Sequence, residues 1–505
     1  MAAAPEAPRQ RATQPLLARF VLRARAQRLR ARRLSAAASL AALLLALGGC
    51  AGYAPRPLAR GADSAHALAQ LQVDPGSIPL PRLASQTIDP RRPLDMAAVA
   101  ALAVLNNPQL RVERDRLGVA RAQAFAAGLL PDPRLSTSRD YPGNSAGATS
   151  TAFSYGLDFD LGSLLTRPAA QAAARAHVRS VDLQLLWQEW QTASQAQLLY
   201  TRLTGLRRQQ RLLRAELALA RLQLQRSRAA AAAGNLPRTD ADARLVAVQA
   251  IEQRIASGQR SGLAWQSQLH ALLGLDTAVP LRLGRLPRLP EHSARQARAA
   301  LARLADIRPD LRALRAGYAS QQQSLREAVL AQFPSISVGF TRARDTTDVN
   351  TIGFGVRFNL PLFNGARGRI AVQRATRREL YDAYQVRLDQ AQAEVDQALR
   401  ELALLRRRRL QLRAGLPALR AAARDARGAL RRGDITLPQA LAQRRALLEQ
   451  RLALQSVEEQ RVEQAVTLDL LTGAGLYDPA PQAAAATPAR RDGVPARSTA
   501  SPSRS

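Results

Sequence analysis

Apolar and polar residues alternate along one stretch in the second half of the chain. From residue 352 to residue 360 every second position is apolar, and glycine, arginine or asparagine fills the positions between. Residues 336–340 show the same period, and the polar residues 345–350 separate the two stretches. This is the period of a β-strand with one apolar face. The pattern therefore predicts a β-hairpin, which ends at Pro361 because proline has no N–H to donate to a strand ladder.

A similar but weaker hairpin is predicted in the first half of the chain. Residues 153–161 alternate in the same way, and a glycine-rich turn separates them from a weak strand at 135–141. Each hairpin leads into a long pattern of helical period, at 166–232 and at 366–432. Each of these helices would be about 100 Å long. Pro168 is placed in the first turn of its helix, where proline is tolerated.

The spacing of landmarks along the chain predicts a tandem duplication. Matching features recur 198 to 201 residues apart. The matched pairs are residues 106–110 and 307–311, Gly156 and Gly355, Gly234 and Gly433, and Gly274 and Gly473. Each copy would comprise a short helix, a hairpin, a long helix, a tight turn and a return helix. The predicted boundaries are 94–274 for the first copy, 275–292 for a linker and 293–478 for the second copy.

The beginning of the sequence predicts a lipid anchor. A basic region and a short apolar segment precede Leu47-Gly48-Gly49-Cys50, which resembles the bacterial lipobox. We therefore predict a lipoprotein signal peptide over residues 1–49, acylation of Cys50 and an extended N-terminal segment over residues 50–93. The residue directly after Cys50 is Ala51 and not aspartate, which resembles the outer-membrane rather than the inner-membrane sorting signal of bacterial lipoproteins. Alternatively, Cys50 is an ordinary buried residue at the end of an uncleaved anchor.

The composition adds charge but no constellation of catalytic or metal-binding residues. The net charge is +34, and every basic side chain is arginine. These arginines are spread along predicted helix faces without an aromatic-interleaved patch, so we expect no nucleic-acid partner. The four histidines are scattered without the spacing of metal ligands, and we predict neither an enzyme nor a cofactor. Residues 479–505 are low in complexity and predict a disordered tail.

The two hairpins constrain how the chain could assemble. Four amphipathic strands cannot close a barrel alone, and open strand edges are not tolerated in lipid, so a membrane-embedded sheet of this kind requires several copies of the chain. The segment FNLPLFNGARGR at 358–369 resembles the strand-to-helix signature of the TolC-like outer-membrane efflux proteins. The resemblance covers about residues 94–478, and its other elements are Asn107-Pro108-x-Leu110, Arg308-Pro309-x-Leu311, Gly234 and Gly433.

This resemblance implies a mainly α fold with a small membrane β-barrel. Each chain would be a tandem-duplicated protomer of a homotrimer, whose twelve-stranded β-barrel continues into a long periplasmic α-helical barrel. The implied location is the outer membrane, with lipid around the barrel and a large periplasmic part. The implied function is that of a passive channel in a tripartite efflux system, which receives substrate from a periplasmic adaptor and a proton-driven inner-membrane pump.

Two other functions fit the same sequence pattern. The first is the outer-membrane duct of a type I protein secretion system, whose outer component looks similar. The second is a structural coiled-coil envelope lipoprotein, which would need the long helices but not the paired amphipathic hairpins. The presence of both hairpins favours a channel over the second alternative.

The resemblance also assigns a role to the two tight turns at the ends of the long helices. It implies that these turns form the periplasmic entrance and contact the adaptor. The implied docking residues are Gly234, Asn235, Leu236, Gly433, Asp434 and Ile435. Both glycines are also expected to be helix C-caps with positive φ, and the two roles are compatible because the turns are exposed.

A periplasmic gate is implied six residues after each of these glycines, where the family has aspartate. Asp240 keeps this pattern, but Gln439 replaces the aspartate of the second copy. The family has one more aspartate nine residues after the second glycine, and this chain has Ala442 there. Rings of carboxylates favour cations in a pore, so we expect an entrance that is less cation-selective than the family norm. Asp240 is equally explained as a first-turn residue that the helix dipole favours.

Overall fold

The computed structural model describes residues 53–143, 149–287 and 294–473. Cys50, the predicted signal peptide and the predicted tail lie outside these residues, so their assignments stay predictions. The chain divides into two units after Ala62. In the first unit, residues 53–62 are exposed and form neither helix nor strand. The second unit, from Asp63 onwards, contains all the elements that follow.

Ten α-helices and four β-strands make up the described part of the second unit. The helices are α1 (Pro81–Ala84), α2 (Met96–Asn106), α3 (Pro108–Ala126), α4 (Gly162–Ala232), α5 (Arg238–Leu273), α6 (Ala294–Leu301), α7 (Leu304–Ile307), α8 (Pro309–Leu330), α9 (Arg367–Arg432) and α10 (Leu437–Thr472). The strands are β1 (Arg134–Asp140), β2 (Ala152–Asp160), β3 (Ser335–Arg344) and β4 (Asn350–Asn359).

The four strands form one antiparallel sheet in the order β1-β2-β3-β4. The pairs β1-β2 and β3-β4 are the two hairpins expected from the alternating pattern. The central pair joins β2 to β3, which comes from the other half of the chain. A mainly α fold with a small antiparallel sheet is therefore confirmed. The division into two sequence copies, with its boundaries, remains a prediction.

The long helices pack along one another through leucine side chains. Helix α4 contacts α5, α8 and α10, and α9 contacts α8 and α10. Leu219 of α4 packs with Leu441 and Leu448 of α10, and Leu412 of α9 packs with Val457 of α10. Among the described residues, no helix combines the length and the apolar character needed to cross a membrane.

Helix α4 begins at Gly162, four residues before its predicted start. The carboxylate of Asp160 accepts a hydrogen bond from the backbone N of Gly162 at 2.9 Å, so the chain passes from β2 into the helix almost without a loop. Pro168 consequently lies inside the helix, in its second turn. Its predicted place in the first turn is wrong, because the sequence carries no clear signal for this early start.

The N-terminal part of the second unit is only partly extended, in contrast to the expectation for residues 50–93. It contains α1 and two short 3-10 turns, Leu68–Gln70 and Pro75–Ser77. Leu80 and Leu83 are buried in the largest hydrophobic core, together with most of α2. Apolar side chains at these positions gain more from burial than from an extended, solvated chain.

Candidate functional site

One face of the sheet is apolar and exposed. The register aligns Leu157 with Phe340 and Phe340 with Phe354, so the alternating apolar residues of neighbouring strands share this face. Ile352 is 85% exposed and Phe354 is 63% exposed. The rings of Phe340 and Phe354 are tilted against each other, with centroids 5.3 Å apart. A contiguous exposed apolar face of this kind marks a surface that contacts lipid or another protein.

The opposite face of the sheet is polar and consists mostly of small residues. Arg357 and Asp158 lie on this face, with Nη2 and Oδ1 3.7 Å apart. A Cβ atom at Gly339 would lie only 2.5 Å from Oδ1 of Asp158, so glycine leaves room for this carboxylate. Opposite polarity on the two faces is the pattern of strands that separate lipid from water.

The two outer strands leave the sheet edges unpaired within the described chain. Every residue of β1 and every residue of β4 is exposed. Unpaired backbone N–H and C=O groups are costly in lipid, where no water can satisfy them. Edges at both sides of one sheet permit copies of the chain to join edge to edge into a closed ring.

Short joints connect the sheet to the two long helices. Helix α4 follows β2 directly, and the backbone N of Leu161 donates to the carbonyl oxygen of Ile336 at 2.9 Å. After β4, Gly365 and Ala366 adopt left-handed conformations with φ of 51° and 56°, and α9 starts at the next residue. Because β2 and β4 run in the same direction in this meander, both long helices leave from the same end of the sheet.

Helix α4 ends in the first of the two predicted tight turns. Gly234 has φ of +76°. The backbone N of Asn235 donates to the carbonyl oxygen of Ala230 at 2.9 Å, and the backbone N of Gly234 donates to the carbonyl oxygen of Ala231 at 3.1 Å. These two bonds are those of a Schellman motif, which needs a left-handed residue. Gly234 and Asn235 are exposed, whereas Leu236 is half-buried.

Helix α9 ends in a turn of the same geometry. Gly433 has φ of +85°, and the backbone N of Asp434 donates to the carbonyl oxygen of Ala429 at 2.9 Å. The side chain of Asp434 also accepts a hydrogen bond from Nε of Arg432 at 2.8 Å. Gly433 and Asp434 are exposed, and Ile435 is half-buried. The six predicted docking residues therefore form two turns with matching backbone geometry.

The two predicted gate residues occupy the same position in successive return helices, the third residue of α5 and of α10. Asp240 is exposed in the first turn of α5, which has no side-chain cap. Gln439 instead completes a capping box, because its Oε1 accepts a hydrogen bond from the backbone N of Thr436 at 2.9 Å. The amide of Gln439 thus stabilises the start of α10.

A carboxyl group lies at the contact between α4 and α10, and sequence reasoning missed it. A Cβ atom built at Gly205 would overlap the carboxyl group of Glu459. Burial raises the pKa of Glu459 to about 7; the charge of Glu463 raises this pKa too, and the charge of Arg202 lowers it. The carboxylate of Glu463 accepts a hydrogen bond from Nε of Arg202 at 2.9 Å.

A buried arginine holds the start of α8 against α9. Arg308 has no exposed surface, and its guanidinium donates to both carboxylate oxygens of Asp310, at 3.0 and 2.7 Å. It also donates to Glu394 at 3.2 Å and lies 4.9 Å from the ring centroid of Trp187. The sequence marks Arg308 as a landmark before a proline, but its structural role depends on partners from distant parts of the chain.

Solved outer-membrane channels share this fold. The chain matches the outer-membrane channel OprN with a TM-score of 0.64 and 19% identity, over 84% of this chain and 99% of that chain. It matches the Campylobacter jejuni CmeC outer membrane channel with a TM-score of 0.62 and 16% identity, over 75% and 86%. It matches the outer membrane protein VceC from Vibrio cholerae with a TM-score of 0.61 and 17% identity, over 76% and 97%.

No protein-family model and no curated protein sequence matches the chain. At such low identity the structural likeness establishes the fold. The chain has the fold of the TolC-like outer-membrane channels, and at this level the resemblance predicted from the sequence is confirmed.

Proposed function

We propose that the protein is the outer-membrane channel subunit of a tripartite efflux system. The observation that carries this proposal is an exposed, one-sided apolar sheet that continues directly into two very long helices. Strands with one lipid face and one water face suit a membrane barrel. Helices of about 100 Å can extend such a barrel far from the membrane. The fold shared with solved outer-membrane channels supports the same function.

The proposed assembly is a homotrimer. The unpaired edge of β4 in one copy would pair with the unpaired edge of β1 in the next, and three four-stranded sheets would close a barrel of twelve strands. Ile352 and Phe354 would face lipid, whereas Arg357 and Asn359 would face the water-filled lumen. Such closure would satisfy every strand edge, which lipid requires.

The two tight turns are proposed as the periplasmic entrance. Gly234, Asn235 and Leu236 would contact the adaptor together with the second turn, Gly433, Asp434 and Ile435. Asp240 and Gln439 would lie near this entrance, one turn inside each return helix. The adaptor would connect the channel to an inner-membrane pump, proposed to be proton-driven. The exposed turns and their matched geometry support a docking role.

We also propose that Cys50 anchors the chain in the outer membrane through an acyl group. The lipobox-like sequence before it supports this assignment. The anchor would add membrane affinity to that of the barrel, because each buried CH₂ of an acyl chain contributes about 0.8 kcal/mol.

Deletion of the gene tests the proposed function. The deletion strain should accumulate one or more substrates in a panel of drugs, dyes and metal ions, and the wild-type gene should restore efflux. Loss of a secreted protein with unchanged accumulation would contradict efflux and support a type I secretion duct. The absence of heat-modifiable trimers from outer-membrane fractions would contradict a channel and support a structural lipoprotein.

A further inference from the structure

A cavity lined with arginine lies between the long helices. Its volume is about 680 Å³, and its walls come from α4, α9, α10 and residues 286–287. Seven arginines line it, and Glu458 is the one carboxylate among the described lining residues. The nearest lining residue to the second turn, Arg420, precedes Gly433 by about 20 Å along α9.

Glu458 is shared by three of these arginines. Its carboxylate accepts hydrogen bonds from Nε of Arg409 at 2.6 Å, from Nη2 of Arg413 at 3.0 Å and from Nη1 of Arg461 at 2.7 Å. Burial raises the pKa of Glu458, but the hydrogen bond and charge of Arg409 and the charges of Arg461 and Arg413 outweigh this effect and lower the pKa below its usual value. The carboxylate is therefore ionised, and Arg409, Arg413 and Arg461 all donate to this one negative charge.

Three further arginines of the cavity have no carboxylate partner within the described chain. Arg208 is half-buried on α4, Arg420 is exposed on α9, and Arg451 is exposed on α10. Because they come from three different helices, their charges converge on one concave space from separate sides. A concave surface lined by one sign of charge concentrates the opposite counter-ions. Guanidinium groups also match carboxylate and phosphate in geometry and donate two parallel hydrogen bonds.

The rest of the lining is apolar. Leu212, Leu402, Leu416 and Leu454 contribute aliphatic surface beside the arginines. This combination suits an organic anion, whose carbon skeleton can contact leucine while its charged groups contact arginine. Chloride alone would use neither the apolar wall nor the bidentate geometry.

We propose that this cavity binds an organic anion with two or more carboxylate or phosphate groups. The site lies within a single chain, so it does not depend on the proposed channel function. It also differs in place from the helix turns and from the sheet. Citrate represents the carboxylate class and inositol hexakisphosphate the phosphate class. The anion that binds with the lower dissociation constant identifies the chemistry that the cavity prefers.

Calorimetric titration of the purified full chain with each anion, at constant ionic strength, tests this site. The double variant Arg420→Gln/Arg451→Gln should weaken binding by about tenfold or more, because it removes charge-assisted hydrogen bonds. Glu458→Gln should strengthen binding, because it removes the negative charge that competes with the ligand for Arg409 and Arg413. These opposite signs separate a binding role from simple damage to the fold, which would weaken binding in both variants.

The matched control is Arg377→Gln/Arg378→Gln, which removes the same charge from exposed positions of α9 outside the cavity. It should leave the affinity unchanged within about twofold. Equal affinity in the wild type, the cavity variant and the control would overturn the proposal. The absence of saturable binding of both anions by the wild type would also overturn it.

Discussion

At the scale of residues, Glu459 is poised to change charge near neutral pH. The pKa of Glu459 in the folded chain is about 7, whereas the ordinary pKa of a glutamate side chain is 4.5. Between these two pH values the folded state binds a proton that the unfolded state has released. The stability that this proton contributes is fully present below about pH 4.5, decreases as the pH rises through this window, and is lost once the pH has passed the folded pKa of about 7.

Replacement of Glu459 by glutamine should remove this pH dependence. Above about pH 7 the wild type carries a half-buried, ionised carboxylate beside Glu463, so Glu459→Gln should raise the melting temperature at about pH 8 by a degree or more. At about pH 4 Glu459 is mostly protonated in both the folded and the unfolded wild type, so the two proteins should melt at nearly the same temperature. Thermal unfolding at both pH values measures the difference.

Glu379→Gln is the control for this experiment. Glu379 lies exposed on α9 and has no ion pair with any residue that the structure describes. Its replacement should have a similar, small effect at both pH values. A stability difference between the wild type and Glu459→Gln that is the same at both pH values would contradict the expected titration.

Local chemistry explains which residues the sequence could reveal. Gly234 and Gly433 stand out because each follows a long helical pattern, and a Schellman turn is made by neighbouring residues. The contact of Glu459 with Gly205 is made across two helices, and no local pattern marks it. The same is true of Arg308, whose partner Glu394 lies far along the chain.

At the scale of elements, β4 offers a direct test of which face would meet lipid in the proposed barrel. Phe354→Arg should cost about 2–4 kcal/mol if this residue lies near the bilayer midplane. The fraction of heat-modifiable trimer in outer-membrane preparations should therefore fall strongly. Asn359→Arg places the same charge on the opposite face of the same strand, where water would solvate it, and should leave the trimer fraction close to that of the wild type.

Equal loss of trimer in both variants would refute the facing assigned to β4. A trimer fraction in Phe354→Arg equal to that of the wild type would also refute this facing. Thermal unfolding of each purified protein in detergent would show whether either change disrupts the helices instead.

The turn after α9 provides a second test at this scale. Gly433→Pro removes the N–H that donates to Leu430 and cannot adopt the positive φ. If the turn docks the adaptor, cross-linking to the adaptor should fall roughly tenfold or more. Gly433→Asn is the control, because asparagine keeps the N–H and tolerates the left-handed region. Unchanged efflux and cross-linking in Gly433→Pro would show that this turn does not dock.

Element boundaries were harder to predict than the elements themselves. Period-2 and helical patterns predict both hairpins and both long helices, because one face of each must be apolar. At the start of α4 the backbone N of Gly162 donates a hydrogen bond to the side chain of Asp160, a contact that periodicity does not express. The short helices near Leu80 form because tertiary packing buries a few leucines.

At the scale of the whole molecule, the proposed periplasmic entrance would determine which ions pass most easily. One of the two equivalent positions is Asp240 and the other is Gln439, so a trimer would present three carboxylates from this pair of positions instead of six. We expect Gln439→Asp to increase cation preference, because a fuller carboxylate ring favours cations. Reversal potentials across planar bilayers under a salt gradient measure this preference.

Gln322→Asp is the control for the selectivity measurement. It adds the same charge at an exposed position of α8, far along the chain from both turns. It should change the reversal potential much less than Gln439→Asp. Strong cation selectivity in the wild type would contradict the expected effect of Gln439.

Assembly was predictable only indirectly from the sequence. The amphipathic strands show that a lone sheet would leave open edges, and the repeat spacing shows where matching elements recur. The number of copies follows from the resemblance and not from any residue, since edge pairing between copies leaves no local pattern. The arginine cavity was equally hidden, because its charges come from α4, α9 and α10 and only packing brings them together.

The pairing of β2 with β3 also sets an order of events during biogenesis. Phe153 lies opposite Arg344, about 190 residues further along the chain. Contacts of such long range form slowly, because a long loop must close before they are made. The first hairpin therefore has to wait, with the edge of β2 unpaired, until the second half of the chain has emerged. If the chain is an outer-membrane channel, as proposed, a periplasmic chaperone that shields this hairpin during the delay should be needed for efficient insertion.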